Sequence, residues 1–101
     1  MSVDVTHDPA AKRYEAYDDG TRVGFAAYAL AGDLIVFTHT EVDPAYEGRG
    51  VGGSLARAGL DDARARGLEV MPLCPFIKGW IQRHPEYADL QFNAPPSRVT
   101  D

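Results

Sequence analysis

Short strand-like stretches, some alternating and some continuously apolar, are divided by turn residues over the first 42 positions, and the pattern then switches to a helical repeat. Val3 and Val5 alternate with Asp4 and Thr6, and residues 13–17 resume strand character before Asp18-Asp19-Gly20, a hairpin-turn signature. The next strand is predicted at about residues 22–30. Ala31-Gly32-Asp33 makes a second tight turn, and residues 34–42, rich in β-branched and aromatic side chains, carry the strongest strand signal of the chain. These strands are expected to form an antiparallel meander. Period two puts Ile35, Phe37, His39 and Glu41 on one face of the last strand and Leu34, Val36, Thr38, Thr40 and Val42 on the other. Asp43-Pro44 stops it.

From Gly50 onward the repeat is helical. On a helical wheel Val51, Leu55, Ala56, Gly59, Leu60 and Ala63 fill one half, while Ser54, Arg57, Asp61 and Arg64 cluster opposite. The spacing predicts an amphipathic helix over about residues 50–66, lying on the sheet. Asp62 falls on its apolar side, where pairing with Arg66 at i,i+4 would accommodate it. Gly67 terminates the helix and residues 68–73 read as a short buried strand, so strand, helix and strand make a right-handed parallel crossover. Pro72 implies that this strand leaves the ladder at its end. Cys74-Pro75 opens a second helix whose apolar face is Phe76, Ile77, Trp80, Ile81 and His84, and Pro85 stops it. Residues 86–92 add one more short element. The expected fold is therefore α+β: an antiparallel meander continuing into a βαβ crossover in a mixed sheet, with two main helices.

A chain of 101 residues supports one domain, placed at residues 1–92, with residues 93–101 expected to be a flexible tail. The net charge of −5 offers no general footprint for nucleic acid or an anionic membrane, so neither is an expected partner. Any phosphorylated ligand must be held locally. The apolar runs are too short to span a bilayer and residues 1–4 lack the regions of a signal peptide. A single cysteine cannot form an internal disulfide, and a cytoplasmic location is expected. His7, His39, His84 and Cys74 have no ligand-like spacing, so no metal is expected. The expected state is a monomer or weak homodimer.

The chemistry concentrates in Glu47-Gly48-Arg49-Gly50-Val51-Gly52-Gly53, with four glycines in six residues at the start of the predicted helix. Side chains are stripped away there, so consecutive backbone N–H groups can close on a ligand, and the positive end of the helix dipole favours an anion. Ser, Thr, Asp and Asn are absent from the usual cap position. A plain turn into a surface helix is the simpler account of such a motif; the density and placement of the glycines favour an anion site. Gly48, Gly50 and Gly53 match G-x-G-x-x-G literally, yet antiparallel hairpins precede them and Pro44 intervenes, which is the wrong setting for a dinucleotide fingerprint. No Gly-Lys-Ser or Gly-Lys-Thr follows, so the loop is no P-loop.

The run from Val42-Asp43-Pro44 through Gly50-Val51-Gly52-Gly53 resembles the pyrophosphate-binding motif of the GNAT acetyltransferase superfamily, with Glu47 standing where that superfamily usually has Gln or Arg. Leu73-Cys74-Pro75-Phe76-Ile77 and Arg83-His84-Pro85-Glu86-Tyr87 look like a minimal, single-domain GNAT-like subfamily. The resemblance covers roughly residues 24–90 and lacks the helices that usually sit between the first strands of GNAT enzymes.

That resemblance implies an acetyltransferase moving an acetyl group from acetyl-CoA to an amine, either a small amine or a protein lysine; the alternative is a non-catalytic acyl-CoA-binding or regulatory module. It implies that amides of Gly48, Arg49, Gly50, Val51, Gly52 and Gly53 hold the coenzyme A pyrophosphate. The edge at Thr40-Glu41-Val42 would pair with pantetheine, and an N–H near Val42 would face the thioester carbonyl. Arg49, Lys78 and Arg83 are candidates for the remaining phosphate. His39 and Glu41, two residues apart on one strand face, are candidates for taking the amine proton. Cys74, at the start of the second helix, is a candidate nucleophile or acid and base, or else a small buried filler. Tyr87 occupies the place of a tyrosine that protonates the leaving thiolate in many GNAT enzymes, though packing is the plainer role for it here.

Overall fold

Five strands lie side by side in chain order: β1 (Asp4–Asp8), β2 (Arg13–Asp18), β3 (Thr21–Ala31), β4 (Leu34–Val42) and β5 (Glu69–Pro72). The first four pair antiparallel and only β4 with β5 is parallel. Helix α1 (Val51–Ala65) carries the crossover between that parallel pair, and α2 (Pro75–Arg83) follows β5. A 3-10 segment, Pro85–Leu90, comes next. This is the expected mixed α+β sheet with two main helices. The computed structural model describes residues 3–92, so the flexible tail expected at 93–101 lies outside the described residues.

The helical repeat sets how α1 sits. Its buried residues are Val51, Leu55, Ala56, Gly59, Leu60 and Ala63, one stripe at i, i+3 and i+4 spacing, facing Tyr14, Ala16, Ala26, Tyr28, Ile35 and Phe37 of the sheet. Gly59 permits the closest approach, since a Cβ there would come within 3.0 Å of the Phe37 ring. Each fully buried large side chain, such as Leu55 or Phe37, contributes roughly 1.5–3 kcal/mol. Asp62 on this stripe is satisfied more fully than expected: it pairs with Arg66 at 3.4 Å and also accepts from the Tyr14 hydroxyl at 2.6 Å. Burial, and then that bond to Asp62, push the Tyr14 phenol far above its ordinary range. Cys74, Ile77 and Ile81 of α2 join the same core. Arg64 grips both carboxylate oxygens of Asp89 and the Glu86 carbonyl, tying the 3-10 segment to α1.

One expectation is corrected in β4. Ala27 pairs with His39 while Tyr28 pairs with Phe37, so Thr38 is an extra residue, a β-bulge. Alternation shifts by one at that point. Phe37, Thr40 and Val42 therefore share the helix side, and His39 and Glu41 turn to the opposite face, away from Ile35 and Phe37. That opposite face also carries Arg13, Glu15, Tyr17 and Phe25, and neither helix packs on it. Glu15 is nonetheless only 6% exposed, enclosed by Arg13, Tyr17 and Arg22.

Candidate functional site

The parallel pairing of β4 with β5 ends at Phe37 and Pro72, after which the Cys74 N–H still bonds the Phe37 carbonyl at 2.9 Å. Beyond it β4 runs on alone on that side through Thr40 to Val42, so the sheet forks. The Pro72 expectation is met at this fork. Asp43 then caps a single 3-10 turn, Pro44–Tyr46, by accepting from the Ala45 N–H at 2.9 Å, and the chain swings into the glycine loop.

Gly48 and Gly50 carry φ of 81° and 83°, the left-handed region that other residues enter at a cost of roughly 1–2 kcal/mol. Gly50 is the N-cap of α1 and no side chain caps the helix, so its first amides have no side-chain partner. No acidic residue stands in that first turn to neutralise the dipole. Gly52 and Gly53 serve a different purpose: a Cβ on either would meet Phe76 or Trp80 at 2.8 Å. The two glycines let α2 lay its aromatic rings against the start of α1.

The result is a cleft of about 590 Å³, the size of a small-molecule site. Thr40 and Val42 of the fork, Tyr46, Glu47 and the loop glycines, Ser54, Arg57, Phe76 and Trp80 form its walls. Polar amides thus sit at one end and an apolar, aromatic wall runs alongside.

Of the residues expected at the site, Val42, Gly48, Gly50, Val51, Gly52 and Gly53 all border this cleft. Arg49 stands beside it, its guanidinium 5.5 Å over the Tyr46 ring. Lys78 and Arg83 are not among its walls. Cys74 is the N-cap of α2, 3% exposed, with its thiol donating to the Thr40 hydroxyl at 3.3 Å. Thr40 borders the cleft and the thiol lies behind it. His39 and Glu41 form a pair, Nε2 to Oε2 2.8 Å, on the helix-free face, where His39 also meets the Phe25 ring edge-on. A smaller hollow of about 170 Å³ adjoins Glu41 and includes Arg22, Phe25 and Asp43. Tyr87 is held elsewhere, donating to Asp61 at 2.7 Å, and burial followed by that bond pushes its phenol up to about 12. Asp61 lies eleven residues along α1 from Gly50, roughly 16 Å at 1.5 Å per residue, so Tyr87 is held away from the glycine loop, and it is not among the walls of the cleft. Sequence reasoning missed Phe76, Trp80 and Arg57 as cleft walls. The available signal was Gly53, which follows the G-x-G of the phosphate motif and leaves the start of α1 without side chains on the side where Phe76 and Trp80 pack.

A mixed sheet forked between its parallel strands, with an uncapped helix start in the fork, is the architecture of an N-acetyltransferase domain. Comparison with known proteins agrees. The sequence profile of GCN5-related N-acetyl-transferase matches residues 13–90, and the chain belongs to that family. It is 31% identical over 85 residues to Protein NATD1 of Gallus gallus, spanning 82% of this chain and 77% of the chicken protein. The solution structure of a GCN5-like protein from Staphylococcus aureus superposes with a TM-score of 0.72 at 20% identity, covering 97% of this chain and 96% of that one. N-acetylglutamate synthase from Neisseria gonorrhoeae, solved with coenzyme A and N-acetyl-glutamate, shares the fold at a TM-score of 0.61 and 19% identity, over 81% of this chain and 22% of the synthase.

Proposed function

We propose that this protein transfers an acetyl group from acetyl-CoA to an amine, a small amine or a protein lysine. The observation that carries the reading is the fork itself, which opens an unpaired edge of β4 directly onto the uncapped start of α1. The residues present fit the coenzyme. Uncapped amides at residues 50–53, two left-handed glycines and a cleft of about 590 Å³ match a pyrophosphate followed by a slender amide-bearing arm. Bound acetyl-CoA supplies an activated acetyl thioester. Gly48 to Gly53 hold its phosphates, the backbone at Thr40 to Val42 receives its amides, and Phe76 and Trp80 wall off water. His39 and Glu41 take the proton that an ammonium must lose before it attacks. The acceptor approaches from the helix-free face, where Glu41 and Asp43 beside the smaller hollow attract a cation. Cys74 holds Thr40 in place and fills the core beneath it.

Isothermal titration with acetyl-CoA, joined to a thiol-release assay over a panel of amines and lysine peptides, tests this. Saturable binding with amine-dependent release of thiol is expected. Absence of binding at millimolar acetyl-CoA removes the cofactor, and binding without thiol release from any acceptor removes the enzyme.

A further inference from the structure

Gly50, Gly53, Ser54 and Arg57 fall on one stripe of α1, at spacings of three and four residues. A ligand seated on the first amides and running along that stripe meets Arg57 two turns on. The guanidinium lies 5.5 Å over the Trp80 ring, and Trp80 is fixed in turn by stacking on His84 at 3.9 Å and by its contact with Gly53. Arg64 of the same helix and Arg66 at its C-cap are each committed to a carboxylate, Asp89 and Asp62. Arg57 has no carboxylate within ion-pair distance among the described residues; Asp61, one turn further, accepts from Tyr87 instead. Arg57 is also the one cation among the walls of the cleft, and Glu47 the one anion.

An uncommitted guanidinium on an aromatic shelf, in a cleft whose far end is made of amides, is a second anion receptor with its own geometry. Seven residues from Gly50 is roughly 10 Å along the axis, and helical side chains lean toward the N-terminus, which shortens the gap. Coenzyme A carries two phosphate groups on one ribose: the pyrophosphate at the 5′ position and a dianionic monophosphate at the 3′ position. Resting on the coenzyme reading above, we infer that Arg57, shelved on Trp80, binds the 3′-phosphate and so makes the protein select coenzyme A over dephospho-coenzyme A. The indole face keeps the guanidinium extended toward the ligand and away from Asp61, so Trp80 positions Arg57.

The experiment is isothermal titration of the wild-type chain, Arg57→Ala and Arg57→Gln with coenzyme A and dephospho-coenzyme A, each variant checked by thermal melting. Wild type is expected to prefer coenzyme A by about ten- to a hundredfold, the worth of a charge-assisted hydrogen-bond pair. Both variants should bind coenzyme A as weakly as wild type binds dephospho-coenzyme A, with their dephospho-coenzyme A affinity unchanged. Equal affinity of the wild type for the two ligands overturns the inference and leaves the coenzyme reading standing. An equal loss for both ligands in the variants also overturns it, because it assigns Arg57 to the pyrophosphate. Failure of the wild type to bind either ligand overturns both readings together.

Discussion

Adding one methyl at Gly53 tests whether the aromatic wall stands where the structure puts it. A Cβ on Gly53 would lie 2.8 and 2.9 Å from two outer carbons of the Trp80 ring, closer than packed carbons come. The ring cannot simply swing aside, because it is stacked on His84 at 3.9 Å and overlaid by Arg57. Overpacking of this kind costs about 1–3 kcal/mol. Against it stands the helix propensity gained on replacing glycine with alanine, up to about 1 kcal/mol. Gly53→Ala is therefore expected to destabilise by up to about 2 kcal/mol, and at roughly 4–8 °C per kcal/mol to lower Tm by up to about 16 °C. In a Trp80→Ala background the clash is gone and only the propensity remains, so the same substitution should stabilise by up to about 1 kcal/mol. Urea and thermal unfolding of the four proteins of this double-mutant cycle read the sign reversal directly. Trp80→Leu replaces Trp80→Ala if the latter does not fold. Equal stabilisation by Gly53→Ala in both backgrounds would refute the contact and the cleft wall built on it.

Gly50→Asp should fold, because a Cβ there would meet nothing within 4 Å and aspartate tolerates the left-handed region, yet lose coenzyme A binding in calorimetry by placing an anion at the amides. Glu47→Gln removes the one anionic wall of the cleft and should tighten coenzyme A binding about two- to tenfold, with a smaller gain in high salt. Burial pushes the Glu15 carboxyl up, but bonds from Tyr17, Arg13 and Arg22 and the charge of Arg13 outweigh it and leave its pKa below the usual 4.5. A lowered folded pKa means stability that is present above pH 4.5 and lost as pH falls through the folded value, so Glu15→Gln should cost stability at pH 7 and progressively less in urea titrations taken further below pH 4.5. Cys74→Ala should lower stability by about 1 kcal/mol while turnover stays within a fewfold; mass spectrometry showing a trapped acetyl group on Cys74, or a hundredfold loss of turnover in a folded variant, contradicts that role.

The apolar stripe of α1 was legible because buried neighbours on a helix must recur at three and four residues, and the six residues so chosen are the ones buried. Gly50 was legible as an uncapped start for a similarly local reason. The faces of β4 were not, because period-two counting assumes an unbroken ladder and nothing in Phe37-Thr38-His39 announces a bulge; only the register against Ala27 and Tyr28 reveals it. Phe76 and Trp80 were read only as part of the apolar face of α2, shared with Ile77 and Ile81. What lies beneath them is Gly52 and Gly53, too small to bury them, so the same rings become walls of a cleft. Arg57 was placed only on the polar half of α1, for want of any sequence sign that a tryptophan from another helix would lie under it.

The bulge at Thr38 makes a single strand serve two compartments. One residue more than its partner strand gives β4 a half-turn of phase, so Thr40 and Val42 address the cleft while His39 and Glu41 address the open side. Under the proposed transfer, donor and acceptor are admitted from opposite sides and meet across the thickness of one backbone. Deleting Thr38 would leave Phe37 and His39 adjacent opposite Tyr28 and Ala27, so the ladder would become regular with both addresses kept; the bulge lets Thr38 be present without exchanging them.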